Sequence, residues 1–421
     1  MPDIGTALAL WGMLRNQWKS PDELQALQQV KLQKLIRHAY KNVPFYKKRF
    51  DGIGIRPEAI RTSEDIKRFP VVEKEDLRKA ILESASIPKR SQWVSTSGST
   101  GTPLRIPFLP GENSFINLTW LRPLLAHGIP PHARTMEITG PHNIRLHPRW
   151  YQRLGFWRRK SVSIFESEER WIELLNKERP DVLWGYSGSL KILAQFIRKN
   201  KMSGFSPRWV VGVSDLVDND CREMIREVFK TTLIDLYGAA ETGCISWLCS
   251  VCGESHINID HLIVEFIPAN SHSGFNNPRK IYVTNLHSFA FPIIRYDIGD
   301  LGFPSLQPSV CGRGLPLMKI IEGRSDAVIR LPSGRVLSPL FFFAVMKKVP
   351  GVAHWQVIQE KPDRLVIKVV PDGSGSFSSL HAGKSIRQAI TEPLHMDIEV
   401  VAAISGAVSG KVRSVISRLH D

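Results

Sequence analysis

Short β-rich runs alternate with helix-patterned stretches through the middle of the chain, and this alternation constrains the fold more than any other feature. The runs RTMEITG, DVLWGYS, RWVVGVSD and TTLIDLYG are separated by stretches such as DCREMIREVF, whose apolar residues recur at helical spacing. A helix between two strands of one sheet carries the chain back to the end it started from, so the strands run parallel. The pattern predicts βαβ units and an α/β fold.

The flanks read differently. From Pro21 to about Ala80 the text is helical, with apolar residues every three or four positions in ELQALQQVKLQKLIRHAYKNV and a stop at Pro44. Thr62 or Ser63 is placed to cap a further helix that breaks at Pro70. From about Ile257 successive strands (HLIVEFIP, RKIYVTNL, FPIIRYDIG) predict a smaller β-rich lobe. Beyond a link near Gly323–Asp326, two helices and about three strands predict a compact α+β domain.

With 421 residues, 43% of them hydrophobic, the chain can bury a sizeable core, enough for two to three domains or one large domain with an appendage. The early apolar run IGTALALWGML is broken by Gly5 and Gly12 and is too short to span a bilayer, so no transmembrane helix is expected. Five cysteines, an odd number in a chain that needs no disulfide staples, favour a reducing compartment and hence the cytoplasm. The formal charge of +16 makes a positive field for nucleotides, coenzyme A, acidic carrier proteins, nucleic acid or anionic lipid. The basic residues are spread out, and charge alone does not choose among these partners.

The segment STSGSTGTP, Ser95 to Pro103, offers hydroxyls and backbone N–H groups that suit phosphate oxygens; taken alone it reads equally as a surface linker. It is not a Walker loop, because Thr102 and Pro103 follow Gly101 where lysine and a hydroxyl residue belong. GAVSGKV has the wrong spacing, with Val412 after the lysine, and GYSGS lacks the final glycine of a nucleophile elbow.

The company this segment keeps changes its reading. STSGSTGTP resembles the phosphate loop of the adenylate-forming (acyl-CoA synthetase) superfamily, DLYGAAETG the adenine-pocket motif, RYDIGDLG the ribose-binding motif, GRSDAVIRLPSGRVLSP the hinge and SGKVRSV the C-terminal catalytic-lysine motif. All five stand in the superfamily's order. LQKLIRHAYKNVPFYKKRF and TSEDIKRFPVVEKEDLRKA resemble the phenylacetate-CoA ligase and CapK-like capsule-biosynthesis branch. The resemblance implies an adenylation domain over residues 1–325, holding ATP and a carboxylic acid, and a mobile lid over residues 326–421.

It also implies roles. Ser97, Gly98, Ser99, Thr100 and Gly101 would hold the β- and γ-phosphates, and Glu241 would bind Mg²⁺; the plain alternative for Glu241 is a carboxylate at a helix start. Tyr237 would lie against adenine, with Gly238 allowing close approach. Ser214 and Asp215 stand where the family has a Ser-Glu or Gly-Glu pair beside adenine, the aspartate being shorter than usual. Asp300 would accept the ribose hydroxyls, Arg324 would assist at ribose or phosphate, and Asp326 would be the hinge between adenylating and thioester-forming poses. Lys411 would bring its ammonium to the α-phosphate and the attacking carboxylate. Trp184, Tyr186, Val213 and Ala239 are the acid-pocket candidates.

Cys249-x-x-Cys252-x-x-x-His256 has metal-ligand spacing, and Cys311 could complete a tetrahedral Zn²⁺ site. Two buried thiols beside a polar histidine explain the same residues. Some relatives carry a Cys/His zinc site here, with paired cysteines before the Gly-Arg; Ser309 stands at the first of that pair. Cys221 and Cys244 receive no role.

The expected function is ATP-dependent formation of an acyl-adenylate and transfer of the acyl group to a thiol, most simply coenzyme A. Transfer to a carrier protein or to an amine is the rival within enzymes, and a homodimer is one assembly open to it. A non-catalytic nucleotide or nucleic-acid binding protein is the rival from another class; it predicts that replacing Lys411 or Glu241 changes nothing. Nucleic acid is not the expected partner.

Overall fold

The computed structural model describes residues 4–95, 104–140, 144, 150–213, 219–268, 279–320, 329–333, 336–337, 339–346, 348–402, 404 and 415–419. The chain divides into two compact units. One comprises Met1–Thr96, Leu104–Ile129 and Leu236–Ile321, the other Ser97–Pro103, Pro130–Asp235 and Glu322–Asp421.

In the first unit the N-terminal helices are set by local chemistry. Ser20 and Glu23 form a reciprocal capping box ahead of the helix Pro21–Asn42, and Pro44 opens the next helix, Pro44–Gly52. Leu24, Leu32, Leu35, Ile36 and Ala39 recur at helical spacing and are fully buried. They pack beside Tyr46, Phe50 and Phe69, the strand Arg105–Phe108 and residues Phe291–Tyr296, most of them in one apolar cluster. The Thr62 hydroxyl does cap, but the element it caps is only a 3-10 turn, Asp65–Arg68, and the α-helix starts at Lys74.

The β lobe of this unit is a run of antiparallel neighbours: Leu262–Pro268, Arg279–Asn285, Ile293–Pro304, Leu317–Ile320, Ser255–Ile257, Gly243–Leu248 and the Leu236–Ala239 half of Leu233–Ala239. Arg122 is buried behind it. Its guanidinium donates to both oxygens of Asp260 at 2.9 and 2.5 Å, to Asn258 Oδ1 at 2.7 Å and to the Met13 carbonyl at 3.0 Å. Asn258 also accepts from Trp247 and donates to the Cys244 carbonyl, so the network ties the helices to the strands.

In the second unit the expected parallel sheet is present: Trp209–Val213, Val182–Tyr186, Thr135–Thr139 and Arg159–Ser163 lie side by side, all parallel. The helices Glu168–Glu178, Ser187–Lys199 and Asn219–Phe229 supply crossovers. Arg159–Ser163 is a strand the hydrophobic pattern does not reveal, since RKSVS is largely polar and lies at an edge. The C-terminal part has a four-stranded sheet ordered His395–Val400, Arg364–Pro371, Val352–Lys361, Val415–Ser417, one strand more than expected. Its core gathers Phe341, Phe342, Val357, Ile367 and Ile386 from helices and strands alike. Among the described residues no helix is long and apolar enough to cross a membrane.

Candidate active site

The segment DLYGAAETG forms the turn of an antiparallel pair. Tyr237 pairs with Ser246, Gly238 with Cys244 and Ala239 with Gly243, and the Thr242 N–H donates to the Ala239 carbonyl at 3.2 Å. Gly243 closes the turn with φ of +73°, where a side chain would also run into the Thr119 hydroxyl, so only glycine fits. Glu241 is delivered by this turn and not by a helix start.

Glu241 is almost fully buried, at 5% exposure. Its carbonyl accepts from Asn285 Nδ2 at 3.0 Å, and its carboxylate takes a hydrogen bond from the Tyr296 hydroxyl. Burial pushes the Glu241 carboxyl above the usual carboxylate range; Lys74 and Tyr296 oppose that shift and Asp300 adds to it. A buried carboxylate with another nearby, short of full compensation, is a donor set suited to a hard divalent cation.

Tyr237 turns its hydroxyl to Asp300 and donates to Oδ2 at 2.9 Å. The adenine-motif tyrosine and the ribose-motif aspartate, remote in sequence, thus meet. A carboxylate has about four acceptor positions, so the phenol leaves others open to ligand hydroxyls. Two aspartates divide the work on this strand: Asp297 accepts from the Gly299 N–H at 2.7 Å and pairs with Lys280 at 3.4 Å.

Lys74 is a site residue that sequence reasoning missed. The Val72 N–H donates to the Arg295 carbonyl at 2.9 Å and the Asp297 N–H to the Val72 carbonyl at 3.0 Å, so VVEK lies along RYD and brings the lysine toward Glu241. Arg295 holds this arrangement, pairing with Glu265 at 2.8 Å and donating to the Lys67 and Phe69 carbonyls. Lys74 looks like any lysine at a helix start, and only this non-local pairing distinguishes it.

Ser97, Gly98, Ser99, Thr100, Gly101, Ser214, Asp215, Arg324, Asp326 and Lys411 lie outside the described residues. The strands flanking the first five, Gln92–Ser95 and Arg105–Phe108, are paired, with Ser95 opposite Arg105. Trp184, Tyr186 and Val213 are buried in the parallel sheet of the second unit, Tyr186 opposite Val213. Arg159 lies over the Trp184 ring at 5.1 Å, and the Tyr186 hydroxyl is 3.4 Å from the Gly140 N–H. Ala239 is half-buried beside Glu241 in the first unit.

The cysteine set does converge. The ligand atoms of Cys249, Cys252, His256 and Cys311 all lie within 4.8 Å of one another. A tight turn brings the first two together, with Cys249 N–H to the Glu254 carbonyl and Gly253 N–H to the Cys249 carbonyl, both at 2.9 Å. The strand Leu317–Ile320, paired with Ser255–Ile257, carries Cys311 alongside. His256 directs Nε2 at Cys311 Sγ, 3.1 Å away, while Nδ1 lies 3.2 Å from the Leu315 carbonyl, the partner that orients a metal-binding imidazole. Burial works against a charged Cys311, but hydrogen bonds from Ser309, Arg313 and His256 bring its thiol down to about 5. Such a group of thiols and one imidazole fits a tetrahedral Zn²⁺.

Comparison with known proteins agrees with the site. The phenylacetate-coenzyme A ligase of Aromatoleum evansii is 39% identical over 419 residues, covering 92% of this chain and 90% of its own. The chain belongs to the phenylacetate-CoA ligase family. Within this family of adenylate-forming enzymes the chain is also similar to protein CapK of Staphylococcus aureus, at 21% identity over 94% of this chain and 90% of that protein. Residues 330–418 match the CapK C-terminal domain family. A crystal structure of 2-hydroxyisobutyryl-CoA ligase with 2-HIB-AMP and CoA has the same fold, with a TM-score of 0.65 at 19% identity, over 96% of this chain and 91% of that one.

Proposed function

We propose that this member of the phenylacetate-CoA ligase family is an AMP-forming acid–thiol ligase, which activates a carboxylic acid with ATP as an acyl-adenylate and passes the acyl group to coenzyme A. The observation that carries this reading is the 2.9 Å hydrogen bond from Tyr237 to Asp300 beside the buried Glu241, which unites the adenine and ribose motifs around one carboxylate.

Adenylation sets an anion against an anion, so the site must hold the nucleotide and offset charge at the α-phosphate. In our reading Tyr237 edges the adenine and Asp300 accepts the ribose hydroxyls while its other oxygen takes the Tyr237 proton donor. Ser97–Gly101 grip the β- and γ-phosphates, Ser214 and Asp215 line the adenine and Arg324 assists at ribose or phosphate. Lys74 and Lys411 supply positive charge from opposite ends of the chain, Lys411 on a lid over residues 326–421 that turns at Asp326. Trp184, Tyr186, Val213 and Ala239 contribute to the acid pocket. Mg²⁺ on Glu241 would screen the phosphate oxygens, and the raised carboxyl supports that assignment. Zn²⁺ on Cys249, Cys252, His256 and Cys311 would be structural, since four protein ligands leave no open position. The five free thiols suit a cytoplasmic enzyme.

The test is an ATP–pyrophosphate exchange screen over aryl, fatty and amino acids. Exchange that depends on one class of acid supports the reading. Silence across all of them with intact ATP binding sinks it.

A further inference from the structure

Tyr237 sends its side chain to Asp300, but its neighbour Gly238 has none, and what fills that side of the chain is one large ring. A methyl group built on Gly238 would come within 2.8 Å of Trp120 Cη2. We propose that Trp120 is the wall against which the organic group of the acid packs, and that it sets how large an acid the enzyme accepts. The proposal rests on the ligase reading above and adds a specificity-determining residue to it.

The placement of the ring is held by its neighbours. Trp120 follows the helix Pro110–Thr119 and precedes the helix Leu121–Ala126. Thr119 accepts a hydrogen bond from the Cys244 N–H at 2.9 Å and donates to the Ile116 carbonyl at 2.6 Å, which docks the end of the first helix on the turn that carries Glu241. Ile116 also lies against the open side of Gly243. With two contacts on the turn, the next residue along the helix has little choice but to lay its indole over Gly238.

The chemistry of the reaction argues for the same spot. The carbonyl of the acid must reach the α-phosphate of a nucleotide lying at Tyr237 and Asp300, with Glu241 at its phosphate end. Gly238 stands between Tyr237 and Glu241 along the strand. Gly238, Ala239, Ala240 and Trp120 are all half-buried, so a ligand can reach them, in contrast to the fully buried Thr119. An indole is rigid, broad and apolar, and it packs well on flat or short acyl groups while blocking long ones.

The test compares wild type with Trp120→Ala in acid-dependent ATP–pyrophosphate exchange, using a series of monocarboxylic acids of increasing length. The expected result is a shift of about tenfold or more in the ratio of kcat/KM for long over short acids, with KM for ATP unchanged and the wild-type ranking kept by Trp120→Phe. A uniform fall for all acids with the ranking intact, or a rise in KM for ATP matching that for acid, would overturn the assignment. If Trp120→Ala does not fold, Trp120→Met keeps most of the bulk and must show the same direction of shift. Absence of exchange by wild type with every acid is a different outcome: the ligase reading then fails and Trp120 fails with it.

Discussion

The hydroxyl of Tyr237 and the carboxylate of Asp300 stand 2.9 Å apart, joined by a hydrogen bond between two motifs that are distant in sequence. The pair makes a specific demand on nucleotide binding. Asp300→Asn keeps shape but loses the charge and one acceptor arrangement, and a hydrogen bond to a charged group is worth about 1.5–3 kcal/mol. KM for ATP should rise by roughly 10- to 100-fold in steady-state kinetics, more than in Tyr237→Phe, where the carboxylate remains. Equal and negligible effects of both would remove Asp300 from the nucleotide site.

Glu241 predicts a split between activity and stability. Glu241→Gln should lower kcat by about 10²- to 10³-fold, as loss of one transition-state electrostatic group does. Stability should move the other way. Burial raises the carboxyl in the folded chain, so the native state binds more protons than the unfolded one between the two pKa values. Ligand-free stability therefore falls as pH rises from the ordinary carboxylate range through the raised folded value. Thermal melts of ligand-free Glu241→Gln should exceed wild type at pH 7 and approach it at pH 4; the reverse order would mean the carboxylate is well compensated.

Lys74 opposes the Glu241 shift, so its removal should leave the carboxyl still higher. In Lys74→Met, ATP–pyrophosphate exchange should decline, and its acidic limb should move to higher pH than in wild type. An unchanged pH profile would reduce Lys74 to a helix-start lysine.

The thiol cluster predicts about one zinc ion per chain by elemental analysis of protein purified without chelator. Cys249→Ser and Cys311→Ser should each lose the metal and lower the melting temperature. Exchange activity measured well below that temperature should persist in the folded fraction, as expected of a structural site. Metal-free wild type with unaltered stability would leave four residues that converge without a ligand.

Arg122 and Asp260 form a buried pair, and breaking one by removing a partner costs about 3–5 kcal/mol. Burial works against the Asp260 charge, but Arg122 and His261 outweigh it and hold the carboxyl well below its usual range. The contribution is present above the unfolded-state pKa and lost as pH falls toward the folded one. Asp260→Ala should show a lower urea midpoint at pH 7, with the gap to wild type narrowing in strong acid.

Much of this was legible in the residues. DVLWGYS and RWVVGVSD announce buried strands because their apolar runs are dense, and Cys249, Cys252 and His256 announce a cluster because their spacing fits a turn. What stayed hidden depends on pairing across the chain. Arg159–Ser163 and Val415–Ser417 are short edge strands whose neighbours define them. Lys74 matters only because Val72 pairs along Arg295–Asp297, and Trp120 only because Thr119 docks on Cys244. The Tyr237–Asp300 relationship was approached through family motifs; no local pattern links a tyrosine in one strand to an aspartate in another.

The most direct measurement is product analysis after incubation with ATP, Mg²⁺, coenzyme A and the acid that gives the strongest exchange. The account predicts AMP and acyl-CoA in equal amounts by mass spectrometry, both absent without the acid. ADP as the nucleotide product, or AMP formed independently of the acid, would contradict it.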